Sequence, residues 1–239
     1  KKQNILFSAT MTEEVDEVLE DFFDFPEEVS LAASGTPLEQ IDQQLYRVPN
    51  FNTKMNLLMH LLHDKEVFNR VLIFINSKRL ADVVMERLEE AFPEEFTVIH
   101  SNKSQNFRLR SMAEFQANEL RGLVTTDIMA RGLDISDISH VINLQFTDSP
   151  EQYIHRIGRT GRADKTGIAI SIVDPKEEEM LLEAEDLMEK ELREIELPSA
   201  VEVSDKLMEF EQSKLKAKQL VKAKKPLEKG AAFHAKKEK

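Results

Sequence analysis

The 239 residues contain no cysteine. This excludes disulfides, thiolate metal sites and a cysteine nucleophile, and it suits a reducing compartment, so a cytoplasmic location is expected. Histidine-based metal sites stay open. No apolar run approaches the roughly 20 residues that a membrane-spanning helix needs. The longest obvious candidate is the short segment 71–75, and no membrane partner is expected. Positive charge is also in deficit, with 32 Lys and Arg against 44 Asp and Glu and a net charge of -12. Taken alone, that balance argues against a nucleic-acid ligand, because phosphate contacts need local positive potential. The deficit is uneven, however. Residues 205–239 carry eleven Lys and five acidic residues, which leaves the first 204 with about -18. Neither an initiating Met nor a signal peptide opens the chain, and Lys1 leads at once to Ile5-Leu6-Phe7, so a start inside a longer protein is expected. No internal repeat is present.

What is there is alternation. Short apolar or β-branched runs at 44–48, 71–75, 97–100, 122–125, 140–144 and 168–173 read as strands. Amphipathic stretches at 54–62, 78–91, 104–117 and 150–157 read as helices between them. The pattern predicts an α/β fold, a parallel sheet with helices on both faces. In such sheets functional residues gather on loops at the carboxyl ends of the strands, where helix N-termini offer free N–H groups to anions. An acidic helix is expected at 11–23, with Thr10 and Glu13 spaced as a capping box, and Gly35-Thr36-Pro37 then marks a boundary. Residues 177–196 read as a further acidic helix ending before Pro198, and 199–239 as a basic tail, a helix fading into disorder. The expected division is therefore 1–36, 37–198 and 199–239.

Three segments at strand ends carry chemistry. His155-Arg156-Ile157-Gly158-Arg159-Thr160-Gly161-Arg162 spaces three arginines across a helix end and a glycine-containing turn. The planar, permanently charged forks of arginine can converge on one phosphate, as arginine fingers do. The bland alternative is a solvated helix end paired with carboxylates. The segment 125–135 follows a strand. Its Asp134 can accept from ribose hydroxyls and its Thr126 can bind a phosphate, unless Thr126 or Asp127 merely caps a short helix. In 101–108, Ser104 is a plausible N-cap, and Gln105 and Arg108 share a helical face along which a nucleic-acid backbone could run.

In this order the segments resemble the DEAD-box RNA helicases of helicase superfamily two, over roughly residues 4–175. Ser8-Ala9-Thr10 is like the family's SAT motif and Val71 through Ser77 like its fourth motif. Gln105 to Arg108 is like its QxxR element, and 126–135 and 155–162 are like its fifth and sixth motifs. The resemblance implies a RecA-like fold. It also implies that Arg159 and Arg162 reach the γ-phosphate of ATP, that Asp134 binds the ribose, and that Gly132 lies against the nucleotide. Gln105, Arg108, Thr126 and Ser77 would contact RNA. Phe74 would pack on the sixth-motif arginines, and Ser8, Thr10, His155 and Arg156 would couple the two lobes. Two positions depart from the pattern: Ser101 stands where glycine is common, and Met129 where a small residue is usual.

Neither a G-x-x-x-x-G-K-[ST] loop nor an Asp-Glu-Ala-Asp run is present. The family carries both in its N-terminal lobe, with most of the Mg²⁺ ligation. The chain is thus expected to supply half of an ATP site and half of an RNA groove, inactive without its N-terminal lobe. The orphaned strand at Ile5 to Phe7 would invite pairing with a second copy. Two other readings remain open here: a DNA-directed superfamily-two lobe, and a non-catalytic RNA-binding module holding RNA through its Lys-rich tail.

Overall fold

In a computed structural model the chain is described at residues 3–7, 13–23, 25–27, 29, 38–127, 138–161 and 166–212. Seven strands form one sheet: β1 (Ile41–Arg47), β2 (Val71–Phe74), β3 (Phe96–Ile99), β4 (Gly122–Thr125), β5 (His140–Asn143), β6 (Gly167–Val173) and β7 (Arg193–Glu194). All pairings are parallel, in the order β3-β4-β2-β5-β6-β1-β7. The helices are α1 (Glu13–Phe22), α2 (Phe51–Leu62), α3 (Lys78–Ala91), α4 (Gln105–Gln116), α5 (Pro150–Ile157) and α6 (Glu178–Met188). This is the expected parallel α/β sheet, with every strand but β7 within three residues of its expected start.

The sheet is covered on both faces, which explains why its inner strands are apolar without interruption. Along β2, Val71 and Ile73 join α2 and α3 residues such as Leu58 and Val84 in one cluster. Leu72 and Phe74 face the other way, onto Phe115 of α4. On that second side Tyr153 and Ile157 of α5 and Leu181 of α6 pack on Ile41, Leu45 and Ala169. Helix starts are set by short polar side chains. Asn50 accepts the Thr53 amide at 2.9 Å, Ser104 that of Phe107 at 3.2 Å and Ser149 that of Gln152 at 3.4 Å, with Pro150 opening α5.

The register puts the functional end in place. Phe74 lies opposite both Thr125 and Asn143, and Ile99 opposite Thr125. The residues that follow each strand therefore emerge side by side along one carboxyl edge.

Three features differ from the sequence expectation. The acidic stretch 177–196 is not one helix: α6 ends at Met188, Glu189 adopts a left-handed φ of 52°, and the chain returns as β7 beside β1. Residues 199–212 pack on the domain, with Val201 buried and Met208 and Phe210 against the α2 cluster. The Ile5 to Phe7 segment forms no strand. A strand needs a neighbour for its backbone groups, and Ile5 and Phe7 are 64% and 89% exposed.

Candidate functional site

Helix α5 delivers Arg156 into the sheet edge, where it is 1% exposed. Nε and Nη2 donate to the two carboxylate oxygens of Asp127, at 2.5 and 2.7 Å. Nη2 also reaches Asn76 Oδ1 at 2.7 Å, and Nη1 reaches the Gln145 carbonyl at 2.8 Å and Asn143 Oδ1 at 3.4 Å. The guanidinium lies 5.0 Å from the centre of the Phe74 ring. A buried cation needs a paired charge and hydrogen bonds for its remaining donors, and the ends of β2, β4 and β5 supply them. Arg156 is thus an internal tie of this domain.

Arg159 follows one turn later and is only half-buried, its Nε donating to the His155 carbonyl at 3.3 Å. The turn that carries it is pinned on both sides. The Gly158 amide bonds to the Ile154 carbonyl at 3.0 Å, and Thr160 Oγ1 donates to Ile138 O at 2.6 Å. Gly161 has φ 68°, and a Cβ there would meet Ile41 at 2.8 Å, so glycine is required. His155, also half-buried, is on α5. Arg162, Gly132, Asp134, Ser8 and Thr10 lie outside the described residues.

The strand ends beside α5 carry the other expected residues. Thr126 is 7% exposed just past β4. Ser77 caps α3 through its backbone, with no hydrogen bond from its side chain to the helix. After β3, His100 Nδ1 accepts the Asn102 amide at 3.3 Å, which leaves Nε2 to donate to Asp82 at 3.1 Å. Lys103 meets the same carboxylate at 2.9 Å. Burial pushes the Asp82 carboxyl up, but the bonds and charges of Lys103 and His100 outweigh it and hold it below its ordinary range. This fixes the turn ahead of α4, whose first residue, Gln105, is exposed. Arg108 is half-buried, and its hidden Nε has no hydrogen-bond partner, an unspent donor on that face.

Four residues were given no role in the sequence reading: Asn76, Asn143, Gln145 and, as a partner of Arg156, Asp127. Each is a polar residue in or just beyond an apolar strand run, the one local signal that marks them. Among the described residues no group of three or more His, Asp or Glu is placed to hold a metal ion.

The arrangement combines a charged anchor, an arginine on a rigid turn, and polar groups at three neighbouring strand ends, which suits a polyphosphate and a phosphodiester backbone. The helicase conserved C-terminal domain matches residues 53–164. The chain is 37% identical over 215 residues to the RNA helicase CrhR of Synechocystis, covering 90% of this chain and 43% of that protein. It is 39% identical over 178 residues to the DEAD-box ATP-dependent RNA helicase CshA of Geobacillus kaustophilus, covering 74% and 37%. The chain thus spans less than half the length of the curated relatives it matches. Among solved structures, the E. coli DEAD-box protein SrmB, bound to the regulator of ribonuclease activity A, aligns at 29% identity with a TM-score of 0.62. That alignment covers 70% of this chain and 97% of the SrmB chain in that structure. The S. cerevisiae protein Dbp5 bound to RNA and ADP BeF3 aligns at 25% identity with a TM-score of 0.71, covering 90% and 54%.

Proposed function

The chain belongs to the DEAD-box helicases, as their conserved C-terminal domain, and we propose that it supplies the arginine-bearing half of an ATP-dependent RNA helicase. The observation that supports this reading is the Arg156 anchor, which ties the end of α5, and with it the turn that carries Arg159, to Asn76 and Asp127 just past β2 and β4. Arg159, with Arg162, stabilises charge on the transferring γ-phosphoryl group. Asp134 and Gly132 hold the nucleoside end of ATP. Gln105, Arg108, Thr126 and Ser77 take successive RNA phosphates. Arg156 and Phe74, both buried, hold α5 within this domain, while His155, with Ser8 and Thr10, couples it to an N-terminal RecA-like lobe. That lobe supplies the phosphate-cradling loop and most of the Mg²⁺ ligation.

Closing the two lobes around ATP and single-stranded RNA completes both sites, strains a short duplex locally, and reopens after hydrolysis. The protein then acts in the cytoplasm on RNA. When this chain is alone, its exposed Ile5, Leu6 and Phe7 favour association with a second copy.

The test is ATP turnover by the two-lobed protein with and without single-stranded RNA. We expect RNA to stimulate hydrolysis, single-stranded DNA not to, and Arg159→Ala to lower turnover by about 10³-fold, the lower end of the range for arginine fingers. A two-lobed protein that binds RNA and ignores ATP would be a scaffold, and the reading would fall.

A further inference from the structure

Asn76 is the first polar residue after the apolar run of β2, and all of its hydrogen-bonding groups except its backbone carbonyl are spent on α5 and the loop leading into it. Its amide N–H donates to Gln145 Oε1 at 3.1 Å. Its Nδ2 donates to the Phe146 carbonyl at 2.7 Å and to Asp148 Oδ1 at 3.3 Å. Its Oδ1 accepts from Arg156 Nη2 at 2.7 Å. Phe146 and Asp148 lie just ahead of Ser149, the N-cap of α5, and Arg156 lies in that helix's last turn. One carboxamide therefore grips the helix at both ends. No other side chain of this size offers a donor and an acceptor on one short planar group.

The neighbour in the chain gives this clamp its direction. Ser77 follows Asn76 directly, with its side chain uncommitted to the helix that it begins. Consecutive Cα atoms are fixed about 3.8 Å apart, so a contact that displaces Ser77 displaces Asn76. Asn76 cannot shift without pulling on Arg156 and on the loop at 146–148. Arg159 sits on the turn that directly follows this helix, its Nε bonded back to the His155 carbonyl.

Resting on the helicase reading above, we propose that Asn76 is a positioning residue that transmits RNA contact at Ser77 to the arginine helix, so that Arg159 is set for ATP only when RNA is bound. It touches neither ligand and acts through Arg156 and the α5 N-cap loop.

Two variants of the two-lobed protein test this. In Asn76→Ala, Arg156 keeps both Asp127 bonds and the Gln145 carbonyl, so the domain should fold. RNA-stimulated ATP turnover should fall about tenfold or more, while basal turnover and nucleotide-free RNA affinity, read by fluorescence anisotropy, stay within about twofold. Asn76→Asp keeps the acceptor for Arg156 but loses both donors and faces the Phe146 carbonyl and Asp148, so its stimulation should be as impaired as that of Asn76→Ala. Recovery in Asn76→Asp would show that only the Arg156 contact matters and would overturn the two-ended clamp. Equal losses of basal and stimulated turnover would reduce Asn76 to a structural residue, and unchanged stimulation in Asn76→Ala would sink the inference alone. A wild-type protein that RNA does not stimulate would remove the helicase reading and this inference with it.

Discussion

Arg156 and Arg159 lie three positions apart on the same basic motif, yet their environments are opposite. Arg156 is buried among Asp127, Asn76, Asn143 and Gln145, and Arg159 is half-exposed on a pinned turn. Removing one partner of a buried ion pair leaves the other without compensation. Arg156→Ala should therefore cost about 3–5 kcal/mol in urea unfolding, and near-wild-type stability would mean that Asp127 finds water or another donor. His140 tests burial of a different kind. It is 4% exposed, stacks near the Phe68 ring at 4.3 Å, and burial pulls its pKa down from 6.5 to about 4. Between those values the unfolded chain binds a proton that the folded chain refuses, so the His140 contribution lowers stability as pH falls from about 6.5 towards about 4. The slope of unfolding free energy against pH in that window should flatten by roughly one proton in His140→Gln, and an unaltered slope would refute the assignment.

At the scale of elements, the segment after Pro198 is a strap across α2. Asn50, Asn52 and Asn56 donate their side-chain amides to the carbonyls of Ser204, Lys206 and Glu202. Ser204 N donates to Thr53 Oγ1 at 3.1 Å. Glu211, 1% exposed, accepts the Phe51 amide at 3.1 Å, satisfying a free N–H in the first turn of α2, and Phe210 meets the Phe51 ring edge-on at 5.5 Å. A chain shortened to residue 198 should thus melt several degrees below one shortened to 212, by about 2–4 °C for each kcal/mol lost in a domain of this size. Equal melting temperatures would show the strap to be energetically idle. The strap was invisible in the sequence because much of its hold is through backbone carbonyls, and its few apolar contacts, Val201, Met208 and Phe210, are too sparse to set a helix or strand period. β7 escaped for a related reason: two residues against β1 are too few for alternation to register.

For the molecule as a whole, net charge says little about where the cationic side chains sit. A chain at -12 places Arg156 at the end of α5, Arg159 on the turn after it, and Gln105 and Arg108 on α4. The described residues before 30 leave Ile5, Phe7, Phe22 and Phe25 exposed, and the three core clusters draw on residues from Leu38 onward. Removing residues 1–36 should leave the melting temperature of the sheet domain within about 2 °C, since surface segments away from the core contribute little. It should also reduce self-association in light scattering, and association that persists would place the sticky surface elsewhere.

The sequence by itself determined the fold class and the order of the chemical motifs. Apolar runs such as 71–75 and 140–144 demand burial on both faces, and the polar residues that end them mark a carboxyl edge wherever the strands lie. Only the tertiary structure decided which arginine turns inward and which stays at the edge, and which distant residues receive the buried one. Asn76, Asp127, Asn143 and Gln145 come from three separate segments, and they meet Arg156 only because β4, β2 and β5 pair in register at Thr125, Phe74 and Asn143. Hydrophobic periodicity is a local property of the chain, whereas that meeting depends on sheet order and register, which no single segment encodes.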